Sequence, residues 1–379
     1  MLSLDLYYAL KSKGLAIKVL HPEPSRPYGF KTDDKATSIL GPDEITTKSI
    51  VCPKSSLIGR MRESWSFGMA CSRFICQNQE KIACIYANAW PLFSQRMIVK
   101  TANRYRIPSV IHVQDVYPES LANKLNGLFG KLIFSLFLPM DKFILTSSTQ
   151  VVAISRKMKD YLVQSRGINR DKVAVVINWQ DESAFLNDHS VKENKIFTFM
   201  YMGNIGPVAG VDLLIDAFIE AHINNARLVI AGSGTLKETL QEKAKPYHSI
   251  EFWSVPNGKV PETQAKANVM LLPIKKGAAR SSIPSKLPAY MFSAKPIIGC
   301  MDGDSDTAEA IRNAECGWVI EPENVSSLAT KLKEVADIDL ETLKRKGEKA
   351  RMYGITHFSK EVNLKKLTEV ILKTIKNQK

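Results

Sequence analysis

The chain has 379 residues, 45% hydrophobic and 24% charged, which supports two to three packed cores at about 150 residues per domain. That mixture excludes a disordered or fibrous chain, and no run approaches the ~18 apolar residues a membrane-spanning helix needs. The formal charge of +14 is uneven: residues 1–185 hold 25 Lys and Arg against 15 Asp and Glu, the remainder 27 against 23. A basic first half suggests an anionic neighbour, a phosphate or a lipid headgroup, or simply a soluble basic surface, and charge alone does not separate these; the lack of an aromatic-basic motif argues against nucleic acid.

Six cysteines (52, 71, 76, 84, 300, 316) form no C-x-x-C pair and no metal-ligand spacing. Reduced thiols in a cytosolic protein are expected. The first thirty residues lack a basic start followed by a long apolar core, so no secretory leader is expected.

In chain order, residues 3–13 pattern as a helix closed by Gly14. Strands are expected at Leu15–Leu20, Ile50–Cys52, Ile82–Tyr86, Ser109–Val113, Val151–Ile154 and Val173–Ile177. The polar stretch Trp179–Lys195 breaks the pattern and is the linker candidate. Strands resume at Phe197–Met202, Leu228–Ala231, Ile250–Trp253, Val269–Leu272, Pro296–Cys300 and Trp318–Ile320. Helical patterns, such as Val211–Ala221 and Leu328–Val335, fill the gaps, and Ser359–Lys376 is a final amphipathic helix. Strands alternating with helices mean parallel sheets with crossovers, here two wound α/β domains with a cleft at the carboxyl ends of their strands. The expected division is 1–180, with 359–379 packing back on it, and 181–358. A wound domain normally opens on a strand and turn, and these look to be missing before the first helix.

Several segments could carry chemistry. Phe199–Asp212 (FMYMGNIGPVAGVD) and Ala231–Thr235 (AGSGT) are glycine turns between strand and helix, suited to a diphosphate, although both also serve as ordinary turn punctuation. Neither has the spacing of a nicotinamide dinucleotide site. Residues 273–298 carry Lys275, Lys276, Arg280, Ser281 and Ser282 before a helix start at Pro284, Ser285 and Lys286. A cation in a first helical turn opposes the helix dipole, and a bound anion would relieve that conflict. A solvated basic loop is the plainer alternative. In Ser109–Ser120 (SVIHVQDVYPES), Gln114 and Asp115 end a strand where a cleft would lie, while Asp115 or Glu119 could instead cap the next helix. His112 reads as a satisfied core histidine. Alternating Asp302, Asp304 and Asp306 could chelate a cation, but without an EF-hand's full spacing they better suit a helix start, and no metal is expected. Lys54–Arg62 (KSSLIGRMR) and Leu128–Met140 (LFGKLIFSLFLPM) have the apolar-basic character of interfacial segments, although a buried core helix explains the second nearly as well. Nucleophile elbows, H-E-x-x-H and Walker loops are absent.

HVQDVYPES, INWQDESAF, MGNIG with AGVDLLIDAF, and SIPSKLPAYMFSAKPIIG together resemble glycosyltransferase family 4. Within it the chain is most similar to the surface-polysaccharide branch of fucosamine and colanic-acid transferases. The resemblance implies the GT-B architecture of two facing Rossmann-like domains, and transfer of a sugar with retention from a nucleotide-sugar donor. The donor would be UDP-linked, carrying an N-acetylated or deoxy hexose. The acceptor would be a lipid-diphosphate-linked glycan at the inner face of an anionic membrane, in O-antigen, capsule or exopolysaccharide synthesis. No cofactor is implied. By the same resemblance, Gly203, Asn204, Gly232 and Ser233 lie at the diphosphate, Val255 and Pro256 beside the base, and Ser282, Pro284 and Ser285 at the donor's sugar and phosphates. Asp115, Lys286 and Arg280 would be catalytic, with Gln114 in the place of the family's histidine. Three features depart from the family: Asn204 and Ala209 replace its Arg and Lys, Ser281 and Ala289 replace its two glutamates, and its first strand with a glycine loop is not seen. A non-catalytic nucleotide-sugar-binding partner and a sugar-nucleotide epimerase are the rival readings.

Overall fold

The computed structural model describes residues 2–23, 40–52, 56–88, 92–125, 127–186, 196–207, 209–277 and 283–377. The chain divides into two compact units, Met1–Ile177 with Leu364–Lys379, and Asn178–Asn363.

The first unit opens on the helix Leu2–Lys11. Strand β1 (Val19–Pro22) then pairs in parallel with β2 (Glu44–Thr47). The expected strand at Ile50–Cys52 is irregular instead: Ile50 is exposed and its N–H donates to Ser66 Oγ at 3.0 Å. A four-stranded parallel sheet follows in the order β3 (Ile85–Asn88), β4 (Ser109–Val113), β5 (Gln150–Ala153) and β6 (Val173–Val175). All five residues of β4 are buried, as a central parallel strand covered on both faces requires. Helices Leu57–Asn78, Leu92–Arg104, Gly127–Ser147 and Arg156–Arg166 belong to this unit. Val99, Ile111, Phe137, Leu145, Val151 and Leu162 centre its core.

The second unit is a six-stranded, wholly parallel sheet built from β7 (Phe197–Met202), β8 (Ala226–Ala231), β9 (Ile250–Trp253), β10 (Val269–Pro273), β11 (Ile297–Cys300) and β12 (Gly317–Ile320). Its spatial order is β9-β8-β7-β10-β11-β12. The unit's first strand is therefore central and the winding reverses between β7 and β10. In such sheets ligands bind beyond the carboxyl ends of the strands, at this reversal. The β7–β10 pairing covers only Phe199 and Met200, so the two strands separate before β7 ends. The helix Val211–Ala221 presents Val211, Leu214, Ile215 and Phe218 to a core shared with Leu228, Ile230 and Leu271. The long helix Lys360–Lys376 starts in the second unit and ends in the first.

Candidate functional site

The separation of β7 from β10 leaves the backbone of Met202 without a strand partner on that side. Tyr290 supplies one: its hydroxyl accepts from Met202 N–H and donates to Met202 C=O, both at 2.9 Å. Tyr290 is fully buried on the helix Lys286–Phe292, one turn beyond Lys286. That anchor fixes the helix against the carboxyl end of β7 and brings Lys286 onto the first glycine turn.

Gly203 has φ +155°, a conformation that favours glycine, and a methyl group there would collide with the Lys286 side chain. Lys286 Nζ lies 5.5 Å from the centre of the Tyr201 ring, whose hydroxyl donates to Asn204 C=O at 2.7 Å. An ammonium over an aromatic face is attracted by the ring quadrupole, so Tyr201 holds the cation in place. Burial lowers the Lys286 pKa from its ordinary value, because removal of water disfavours the charged form.

The second turn packs against the first. Gly232 has φ +143°, and a methyl group there would strike the Gly203 carbonyl; Gly234, at φ +157°, lies equally close to the Ile205 backbone. Backbone bonds tie the turns together: Gly203 N–H donates to Ala231 C=O at 3.0 Å, Ile205 N–H to Ser233 C=O at 2.8 Å, and Leu236 N–H to Ile205 C=O at 3.0 Å. The structure thus brings together Gly203, Asn204, Gly232, Ser233 and Lys286 at the reversal of the sheet. Pro284 and Ser285 lead directly into the Lys286 helix, and the Ser285 side chain makes no capping hydrogen bond. Val255 and Pro256 follow β9, the outer strand, in a turn where Pro256 C=O accepts from Lys259 N–H at 3.1 Å. Arg280 and Ser282 lie outside the described residues.

Two contributors were not singled out in the sequence. Lys237 opens the helix Lys237–Ala244 and donates from Nζ to Gly232 C=O at 3.2 Å. The signal that marked Lys286, a cation in a first helical turn, also marks Lys237. Tyr290 gives no sequence signal, because its role depends on where β7 and β10 part.

The aspartates at 302–306 form a helix start. Asp302 Oδ2 accepts from Gly277 N–H at 2.7 Å, and Ser305 Oγ caps the helix Asp306–Asn313 by accepting from Ala308 N–H at 3.2 Å. No cluster of potential metal ligands occurs among the described residues.

In the first unit, Gln114 and Asp115 leave the carboxyl end of β4, and Asp115 is exposed. His112 is buried, with Tyr86 Oη 2.7 Å from Nδ1 and Gln114 Nε2 3.1 Å from Nε2. Burial pushes its pKa down to about 4. Glu119 is the first residue of a helix, but its carboxylate accepts from Arg166 at 2.7 Å and Tyr161 at 2.5 Å. The helix Gly127–Ser147 buries Ile133, Phe137, Asp141, Ile144 and Leu145, and exposes Leu128, Leu132 and Leu136 on a spacing of four. No helix of the described residues is long and apolar enough to cross a membrane.

The family model for the glycosyl transferase 4-like domain matches residues 3–179, and that for glycosyl transferases group 1 matches 196–337. WbjE of Pseudomonas aeruginosa, named as a glycosyltransferase, is 23% identical over 279 residues, covering 69% of this chain and 67% of its own. WcaI of Escherichia coli K12, named for colanic acid biosynthesis, is 23% identical over 248 residues, covering 60% of this chain and 59% of its own. The matches thus span about two thirds of these relatives or less. Anabaena HepE, solved in complex with UDP, superposes with a TM-score of 0.63 at 14% identity over 80% of this chain and 82% of its own, a likeness of fold. With both of its units matched by glycosyltransferase domain models, the chain belongs to the glycosyltransferases of GT-B type related to enzymes of polysaccharide biosynthesis.

Proposed function

We propose that the second unit holds a UDP-linked sugar against Gly203, Gly232 and Lys286, and that the chain transfers this sugar, with retention, to a lipid-diphosphate-linked glycan. The observation that carries the reading is Lys286, whose side chain is seated on Gly203 where the six-stranded sheet reverses. A diphosphate fits this place because the first glycine turn leads to the start of the helix Val211–Ala221 and carries the partly desolvated Lys286 ammonium against Gly203. The UDP bound to HepE supports uracil as the base.

In the transfer, the bond between the anomeric carbon and the diphosphate oxygen breaks as the acceptor hydroxyl oxygen bonds to that carbon on the same face. The hydroxyl proton leaves with the diphosphate. Lys286, with Lys237 and the turn amides, stabilises the charge growing on the leaving group, and Asp115 of the first unit orients the acceptor. These cations carry the charge without a metal. A donor of N-acetylated or deoxy hexose type, and an acceptor on an anionic membrane surface, complete the reading. Its product would enter O-antigen, capsule or exopolysaccharide synthesis.

Calorimetric titration with UDP, with and without EDTA, tests it. Binding that survives EDTA is expected, and Lys286→Met should weaken it by roughly 10- to 100-fold, the weight of a charge-assisted hydrogen bond of ~1.5–3 kcal/mol. Binding of GDP in preference to UDP overturns the base. Binding lost with EDTA overturns the metal-free site, and no binding of either nucleotide overturns the reading of this unit.

A further inference from the structure

Among the largest fully buried side chains is a charged one, Arg166, at the end of the helix Arg156–Arg166. Its Nε donates to Asp141 Oδ2 at 2.7 Å on the helix Gly127–Ser147. Its Nη2 donates to Glu119 Oε2 at 2.7 Å and to Tyr117 C=O at 3.3 Å, and its Nη1 to Ser165 Oγ at 3.1 Å. Tyr161, one turn earlier on the arginine's own helix, donates its hydroxyl to the other oxygen of Glu119 at 2.5 Å. The left-handed Gly167 (φ +67°) ends that helix, with its N–H on Val163 C=O at 3.0 Å, so the arginine's origin is itself fixed.

Burying an arginine and Asp141, with Glu119 half-buried beside them, is a poor route to stability, since apolar residues of the same volume would serve as well or better. A planar fork with several partners instead sets geometry. What this fork sets is the segment from Tyr117 to Glu119, which follows directly on Gln114 and Asp115 at the carboxyl end of β4. Two of its bonds hold the far end of that loop, while β4, buried along its length, holds the near end.

We infer that Arg166 is a positioning residue for the transfer reaction: by clamping Tyr117 and Glu119 it fixes the loop that carries Asp115, the side on which the acceptor is presented. The inference rests on the acceptor role given to Asp115 above. Arg166 is fully buried among protein partners, and it acts through the loop. Its variants must therefore change acceptor use and loop order while leaving the donor on the second unit undisturbed.

Arg166→Lys keeps a charge and loses the fork, and Tyr161→Phe removes only the hydroxyl bond to Glu119. Three readouts on the full chain decide the matter: UDP affinity by calorimetry, amide hydrogen exchange of peptides covering 113–121, and turnover of UDP-N-acetylglucosamine with a synthetic polyprenyl-diphosphate N-acetylglucosamine. For Arg166→Lys we expect UDP affinity within twofold of wild type, exchange at 113–121 at least tenfold faster, and turnover at saturating donor at least tenfold lower with donor KM unchanged. Tyr161→Phe should move the last two in the same direction by a smaller factor. If Arg166→Lys accelerates exchange throughout the chain, it has unfolded, and Tyr161→Phe alone then decides. Exchange at 113–121 within twofold of wild type in the folded variant overturns the inference, and so does loosened exchange with unchanged turnover. Failure of the wild-type chain to bind UDP overturns the donor reading instead, and the exchange arm still decides whether Arg166 orders the loop.

Discussion

His112 sits in the middle of a buried parallel strand, with Tyr86 on one ring nitrogen and the Gln114 amide across the ring. Its alternation with Gln114 already pointed to a satisfied core residue, and the structure adds why it is held neutral: burial depresses its pKa to about 4. A free histidine takes up its proton near pH 6.5. Between about pH 6.5 and 4 the unfolded chain therefore binds a proton that the folded chain refuses, so stability present above pH 6.5 is lost as the pH falls through this window. The full loss is about 3 kcal/mol by linkage. Urea denaturation followed from pH 7 to 4 should show the first unit losing roughly that much, and His112→Gln should flatten this part of the profile. An equal slope in both proteins would mean that other groups dominate the acid limb. The same immobilised ring also braces Gln114, next to Asp115 on the side given to the acceptor.

Periodicity located most of the elements because a parallel strand covered on both faces is written as a continuous apolar run. Ser109–Val113, Phe197–Met202 and Ile250–Trp253 have the bounds expected of them. It failed at β2, where Glu44-Ile45-Thr46-Thr47 carries one apolar residue and is defined by its pairing with β1, while the more apolar Ile50–Cys52 lies in irregular chain. The glycine turns were legible as turns, but their contact with each other was not, because it depends on how β7 and β8 align. That contact yields a prediction. Gly232→Ala forces a left-handed alanine and drives its methyl into the Gly203 carbonyl, at roughly 1–3 kcal/mol for the strained backbone and with weaker UDP binding if the turn holds the diphosphate as proposed. Gly258→Ala, also left-handed at φ +78° but open within 4 Å, should cost only about 1–2 kcal/mol and leave UDP affinity unchanged. Equal effects of the two substitutions on UDP affinity would mean that the packing of turn on turn does not shape the site.

At the scale of the molecule, the excess of positive charge and the exposed apolar surface fall in the same unit. Residues 1–177 and 364–379 hold 30 Lys and Arg against 14 Asp and Glu, while the other unit holds 22 against 24. Within them, Leu128, Leu132 and Leu136 are 86%, 63% and 62% exposed along one face of a helix whose opposite face is core. Lys131 and Lys142 are exposed on the same helix. Apolar side chains on a spacing of four, with cations beside them, fit the headgroup–acyl boundary of an anionic bilayer, and no helix of the described residues is long and apolar enough to cross one. Full burial of a leucine is worth about 1.5–3 kcal/mol, so even half of that for each of three residues changes partitioning by on the order of 100-fold or more. Sedimentation with vesicles containing phosphatidylglycerol should therefore capture the wild-type chain, and capture should weaken as salt screens the lysines. The triple variant Leu128→Ser, Leu132→Ser, Leu136→Ser should remain in the supernatant and bind UDP as tightly as wild type, because the turns proposed to hold the donor belong to the other unit. Capture that persists in the triple variant would move the contact to Ile58 and Trp65, the exposed apolar residues of the helix Leu57–Asn78. Absence of capture for the wild type at low salt would remove the membrane from the reading and leave the basic surface to serve solubility alone.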